Sequence, residues 1–418
     1  MPISRKRVAT PAVQMDLRAS PLTAPAVHRG ALRVLLYSHD TFGLGHLRRT
    51  RTIAAALTEA FPAASALILT GSPVAGRFTF PERVDHIRLP GVIKREDGSY
   101  SAEALGLDID ETTWLRAGLI ERAAERFAPD LVIVDKEPTG FRNELMPTLE
   151  ALRGARRARV VLGLRDVLDT PAVVAEEWAR KNAVPAIAEH YDEIWIYGDS
   201  RMFDPTEGIG LPATVRDRLV WTGYLRRSGA GPAETPAEPY LLVTPGGGGD
   251  GAALVDQVLG AYENDPALSP GAFIVYGPFL AGERRAQFEE RVARLAPRVA
   301  SIGFESRMES LIVGAQGVVA MGGYNTFCEI LSFDKPALIV PRSRPRMEQT
   351  IRARQAEALG LARMLDSAAA RDPAEMAAAI RALVDQPRPS AARLDGLLDG
   401  LPRIVARAGA LLRGRVRA

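Results

Sequence analysis

The chain has 418 residues, 47% apolar, 25% charged and 6% aromatic, an ordinary globular composition long enough for two domains. Lys and Arg number 53 against 50 Asp and Glu, a net charge of +3; that balance gives no reason to expect nucleic acid, while an anionic substrate or a phospholipid surface stays compatible. A single cysteine, Cys328, excludes an internal disulfide and a cysteine metal cage and fits a reducing cytoplasm, and no apolar run reaches the roughly 18–20 residues of a membrane span.

Residues 1–30 carry Arg5, Lys6 and Arg7, followed by Pro, Ala, Ser and Thr rather than an apolar segment, and read as a disordered leader. Strand-like Val/Ile/Leu runs then follow at 32–37, 66–70, 84–89, 131–134, 159–164 and 193–197, with helical patterns at 47–60, 111–127, 142–152 and 172–181. The Gly-, Pro- and Ala-rich stretch 226–239 has no apolar periodicity and reads as a linker. Beyond it strands are expected at 240–244, 272–276, 299–303, 317–320, 337–340 and 362–365, and helices at 252–262, 283–295, 307–312, 326–332, 349–358 and 373–384. Short apolar runs between helices indicate buried parallel strands. The expected fold class is α/β, with two doubly wound Rossmann-like domains (31–225 and 240–395) facing a cleft. A basic helical tail, 396–418, either packs back on the first domain or touches an anionic membrane.

Three glycine turns fall at strand-to-helix junctions. They are Phe42-Gly43-Leu44-Gly45-His46, Pro245-Gly246-Gly247-Gly248-Gly249-Asp250-Gly251, and Met321-Gly322-Gly323-Tyr324-Asn325-Thr326. Glycine lets backbone N–H groups approach a ligand closely, and the following helix turns its positive end toward an anion. The second turn lacks the Lys-Ser/Thr pair of a P-loop. It also lacks an acidic residue at a strand end about 20 residues on, as a dinucleotide fold would have. Diphosphate binding remains the expectation, with a flexible surface loop as the plainer reading. Glu329, one helical turn after Asn325, can accept from two ribose hydroxyls or be an ordinary carboxylate near a helix start.

The segment from Phe304 to about Leu365 resembles the carboxyl-terminal domain of GT-B glycosyltransferases, most closely the lipid-II N-acetylglucosaminyltransferase and galactolipid synthase group. The resemblance implies a nucleotide-sugar donor, with UDP as the expected nucleotide, and this donor is a substrate rather than a cofactor. Glu329 would bind ribose, Phe304 and Glu305 would cover the base, and Gly246, Gly247, Gly248 and Gly249 with Gly322, Gly323, Asn325 and Thr326 would hold the diphosphate. Arg346-Met347-Glu348-Gln349, with Ala353 further on, is similar to the family's donor-sugar motif and puts Glu348 and Gln349 on the sugar. Gly43-Leu44-Gly45-His46 resembles the acceptor-side loop. The paired glycines of the lipid-II enzyme's first loop are missing, and Glu348 and Arg352 replace the commoner residues, which leaves the sugar open.

Sugar transfer needs a held leaving group and a base for the acceptor hydroxyl. His46, at a helix start that disfavours imidazolium, is the expected base; the plainer reading is a histidine that lines the loop, and His39 is the runner-up. The acceptor-side candidates are Gly43, Gly45, Arg48, Arg49, Asp135 and Asp166, the two acids being acceptor contacts, partners for His46 or simple salt bridges. Asp108-Ile109-Asp110 has the spacing of a GT-A metal pair but precedes a helix and reads as an N-cap. No essential metal is expected. The expected reaction is inverting transfer by a cytoplasmic enzyme that can touch the inner face of the membrane. The acceptor, lipid-linked or a glycan, is not legible, nor is the oligomeric state. A nucleotide-sugar hydrolase or 2-epimerase and a non-catalytic sugar-nucleotide-binding protein are the alternatives.

Overall fold

A computed structural model describes residues 31–39, 45–94, 99–155, 158–229, 236–247 and 249–413. The expected leader, Gly43, Gly248, positions 230–235 of the linker and positions 414–418 of the tail lie outside the described residues.

Leucine- and β-branched runs bounded by helices build the first sheet. Its strands are β1 (Arg33–Ser38), β2 (Ser65–Thr70), β3 (Val84–Arg88), β6 (Leu131–Asp135), β7 (Arg159–Arg165), β8 (Glu193–Tyr197) and β9 (Leu219–Trp221). Between β3 and β6 a small antiparallel pair, β4 (Val92–Lys94) with β5 (Tyr100–Ala102), stands apart. Among the described residues the order is β3-β2-β1-β6-β7-β8-β9, all parallel. The helices of this half are α1 (Gly45–Ala60), α2 (Ile109–Phe127), α3 (Met146–Ala155), α4 (Pro171–Arg180), α5 (Ala183–His190) and α6 (Ala213–Arg216). Asp108 caps α2 through Asp110 and Glu111 backbone N–H groups, in a capping box with Glu111.

The second sheet contains β10 (Tyr240–Thr244), β11 (Gly271–Val275), β12 (Val299–Ile302), β13 (Gly317–Ala320), β14 (Ala337–Ile339) and β15 (Arg363–Met364), ordered β12-β11-β10-β13-β14-β15 among the described residues. Around it lie α7 (Ala252–Asn264), α8 (Gly282–Leu295), α9 (Met308–Gly314), α10 (Tyr324–Ser332), α11 (Glu348–Ala358) and α12 (Pro373–Val384). Strand order reverses between β1 and β6 in one sheet and between β10 and β13 in the other. Ligands in open α/β sheets bind beyond the strand carboxyl ends at such reversals. The start of α1 at Gly45, the acid that ends β6 and the glycine turns after β10 and β13 all stand at these two points.

Several short elements went unread in the sequence, among them the four-residue α6. β9 is three residues long, the β4–β5 pair is equally short, and α5 is an eight-residue helix interrupted in pattern by Pro185. The helix expected from 142 starts at Met146, because Arg142 and Asn143 take left-handed φ of 48° and 68°.

The two halves are joined by more than a linker. One apolar cluster runs through Leu47, Ile53 and Leu57 of α1, Phe327 and Ile330 of α10, and Ile404 and Ala408 of α13 (Gly400–Arg413). Helix α13 lies on α1, and its Arg407 pairs with Glu193 at the start of β8. The tail therefore returns to the first domain. Arg352 of α11 crosses the other way. Fully buried, it donates to both carboxylate oxygens of Asp166 (2.7 and 2.6 Å) and to the Gly322 carbonyl (2.9 Å). The Tyr224 hydroxyl also donates to Asp166, at 2.8 Å. Asp166, expected on the acceptor side, is instead a dry interdomain counter-ion, because the residue just past β7 turns to Arg352 of α11 while its neighbour Arg165 takes the cleft side.

Candidate active site

His46 is the second residue of α1, and Asp135 is the last residue of β6. Their strands are neighbours, so the helix start and the strand end meet: Asp135 Oδ2 takes a short hydrogen bond from His46 Nδ1. Arg49, one turn along α1 and 1% exposed, holds the same carboxylate from the other side, Nε to Oδ1 at 2.8 Å and Nη2 to Oδ2 at 2.6 Å. Burial alone would raise the Asp135 pKa; Arg49 and His46 outweigh it and hold the acid well below the usual carboxylate range. The carboxylate can only accept from Nδ1, which fixes the neutral tautomer with Nε2 as a free lone pair. Burial lowers the His46 pKa from 6.5 to about 4, with Asp135 opposing and Arg49 and Lys136 adding to the shift. The ring is an uncharged, oriented proton acceptor at neutral pH. His39, 8% exposed, has its Nδ1 3.4 Å from the Tyr37 hydroxyl and is absent from the cleft wall.

The opposite wall comes from the second domain. Gly246, at φ +84°, begins the loop after β10, and Gly246, Gly247 and Gly249 face the cleft ahead of α7. Gly322 has φ +81°, and a Cβ there would stand 2.7 Å from Ile339 Cγ2; only glycine permits this turn. It does not line the cleft itself, but it sets Gly323, Asn325 and Thr326 at the start of α10 against it. Phe304, Glu305, Glu348 and Gln349 complete this wall. Gln349 Oε1 accepts from the Arg342 backbone at 3.2 Å, and Glu348 Oε1 accepts from the Arg342 guanidinium at 2.9 Å.

Both walls touch. Arg48 of α1 donates to Glu329 of α10 in a short ion pair and to Glu309 at 3.2 Å. Glu329 is 1% exposed, and burial, with Glu309 adding, raises its pKa although Arg48 pulls against it. Asn325 Nδ2 donates to the Gly45 carbonyl at 2.9 Å while its Oδ1 accepts from Arg227 at 2.6 Å. Gly45, His46, Arg48 and Arg49 are thus all at the cleft, as is Arg165 at the end of β7. The sequence reading missed Arg227, hidden in a stretch taken for linker, and Arg342, whose only signal was its place two residues beyond a strand-end valine. It also missed Gly277 and Phe279, which wall the glycine loop after β10: the Phe279 backbone donates to the Gly247 carbonyl at 3.1 Å. Among the described residues no group of three or more His, Cys, Asp or Glu side chains is arranged to hold a metal ion.

A two-domain α/β fold with a cleft between facing switch points, one side supplying an oriented histidine and the other two glycine-framed helix starts, is that of a GT-B glycosyltransferase. Residues 241–396 match the Glycosyltransferase family 28 C-terminal domain, and the chain is a glycosyltransferase. Its structure resembles glycosyltransferase VinC in complex with dTDP (TM-score 0.59, 16% identity, covering 93% of this chain and 100% of that one). It also resembles Phytolacca americana UGT2 complexed with UDP-2-fluoroglucose and pterostilbene (0.58, 14%, 92% and 100%) and Acinetobacter baumannii MurG (0.55, 14%, 90% and 98%). No curated protein matches in a sequence comparison.

Proposed function

We propose that this glycosyltransferase moves a sugar from a UDP-linked donor to an acceptor hydroxyl, with inversion at the anomeric carbon and without a metal. The observation that carries the reading is the His46–Asp135 pair, set across the cleft from the loop at Gly246–Gly249 and the start of α10. The acceptor hydroxyl gives its proton to His46 Nε2 as its oxygen attacks the anomeric carbon. The bond from that carbon to the β-phosphate oxygen breaks, and nucleoside diphosphate leaves from the opposite face. Asp135 stabilises the imidazolium that forms. Backbone N–H groups at the two glycine turns take the charge of the leaving diphosphate. Glu329 reads the ribose, Phe304 and Glu305 flank the base, and Glu348 with Gln349 reads the sugar. That VinC was crystallised with dTDP and UGT2 with a UDP-fluorosugar supports a pyrimidine nucleotide here.

Resemblance to the lipid-II and galactolipid group favours a lipid-linked or glycan acceptor met at the inner face of the membrane. No helix of the described residues is long and apolar enough to cross one. Thermal shift against UDP, dTDP, GDP and ADP sugars names the donor through ligand linkage. His46→Ala is expected to abolish transfer and leave nucleotide affinity nearly intact, and the anomer formed by the native enzyme, read by NMR, is expected to be inverted. Loss of both transfer and affinity, or of neither, rejects the assigned role.

A further inference from the structure

Among the described residues, Arg165 is a strand-end arginine of the first domain that faces this cleft without a counter-ion. Among the described residues it makes no ion pair or hydrogen bond through its side chain, and its Nε is buried without a partner. The other cleft arginines differ: Arg48 is spent on Glu329 and Glu309, Arg49 on Asp135 and Arg342 on Asp250 and Glu348. Asp166, its chain neighbour, is committed to Arg352 and Tyr224. Across the cleft Glu348 is also incomplete, for its Oε2 is buried and accepts nothing, yet the two side chains form no ion pair. A half-buried cation without compensation is costly, and a protein retains one where a ligand supplies the missing charge. Burial lowers the guanidinium to about 10; Glu348 and Asp166 oppose that shift, while Arg49 and Arg352 add to it.

Resting on the reading above, we propose that Arg165 is a catalytic residue of the first domain that donates to the departing diphosphate of the donor, facing the backbone amides of the second domain. Gly246, Gly247 and Gly249 share its cleft, so the phosphates lie between neutral amides on one wall and this cation on the other. The negative charge on the bridging oxygen grows as the glycosidic bond breaks, so the contact strengthens in the transition state. The same guanidinium chemistry would suit an anionic group on the acceptor, and the test separates the two.

Binding of UDP, UMP and uridine to the native protein, Arg165→Met and Arg165→Lys is measured by calorimetry, alongside transfer kinetics with varied donor and acceptor. The expected result is UDP affinity weakened roughly 10- to 100-fold in Arg165→Met, the usual scale for a charge-assisted contact. Uridine affinity stays unchanged, which also shows the pocket folded, Arg165→Lys recovers part of the UDP affinity, and kcat falls. UDP binding equal to native, with only the acceptor KM raised, overturns the assignment in favour of an acceptor anion. UDP binding and kcat both equal to native overturn it outright. If the native protein binds none of UDP, UMP and uridine, the donor reading itself is wrong and this inference falls with it.

Discussion

Acidification tests whether the site histidine is held neutral by its surroundings. His46 has an ordinary pKa of 6.5 when unfolded and about 4 in the folded chain, where burial is the leading cause. The unfolded chain therefore takes up a proton between these values and the folded chain does not. This contribution to stability is whole above pH 6.5 and drains away as the pH falls toward 4. At about pH 4.5 the unfolded histidine is almost fully protonated and the folded one about a quarter so, which makes the loss about 2.5 kcal/mol. His46→Gln cannot titrate and keeps an amide for Asp135. Urea unfolding of both proteins at about pH 7 and pH 4.5 isolates the term, since every other group is common to the pair. The native protein is expected to lose about 2.5 kcal/mol more than the variant on acidification. Parallel losses would refute the reasoning and mean that the imidazole is already charged, or solvated, in the folded state.

Two further outcomes follow from the buried carboxylates of Asp135 and Asp166. Asp135→Asn keeps the shape beside His46 but lets an amide turn toward Nδ1, so kcat is expected to fall about 10²- to 10⁴-fold with UDP affinity little changed, in steady-state assays and calorimetry. Arg352→Met strands Asp166 where both side chains are fully buried and should cost about 3–5 kcal/mol in denaturant unfolding; a loss under about 1 kcal/mol would mean that the pair does little to hold the two domains together.

The fold was legible wherever an apolar run had a helix on each side. β8, β10 and β13 match their expected ranges because they are central, buried strands with a uniform pattern. The shortest elements were not legible, since three half-buried residues such as Leu219–Trp221 carry no period, whereas the edge strands β3, β12 and β15 were expected close to their places. In the site, glycine spacing placed the turns and the histidine, because backbone geometry demands those residues locally. Partner choice was not local. Asp135 and Asp166 are both strand-end acids in adjacent strands, indistinguishable in sequence. One faces His46 and the other faces Arg352, 186 positions away. What separates them is which element lies opposite, α1 of the same domain for one and α11 of the other domain for its neighbour, a property of packing rather than of either segment. Arg227, read as part of a linker, escaped notice for the same reason.

Under the proposed donor reading, the ion pair between Arg48 and Glu329 would make nucleotide recognition an exchange. A ribose that claims this carboxylate evicts a tenant supplied by the other half of the molecule, so any measured affinity is the difference between two occupants. Salt weakens the tenant as well as the newcomer's phosphate contacts, and the two effects have opposite sign. The ionic-strength dependence of binding would then be shallower than the charge of a diphosphate alone demands.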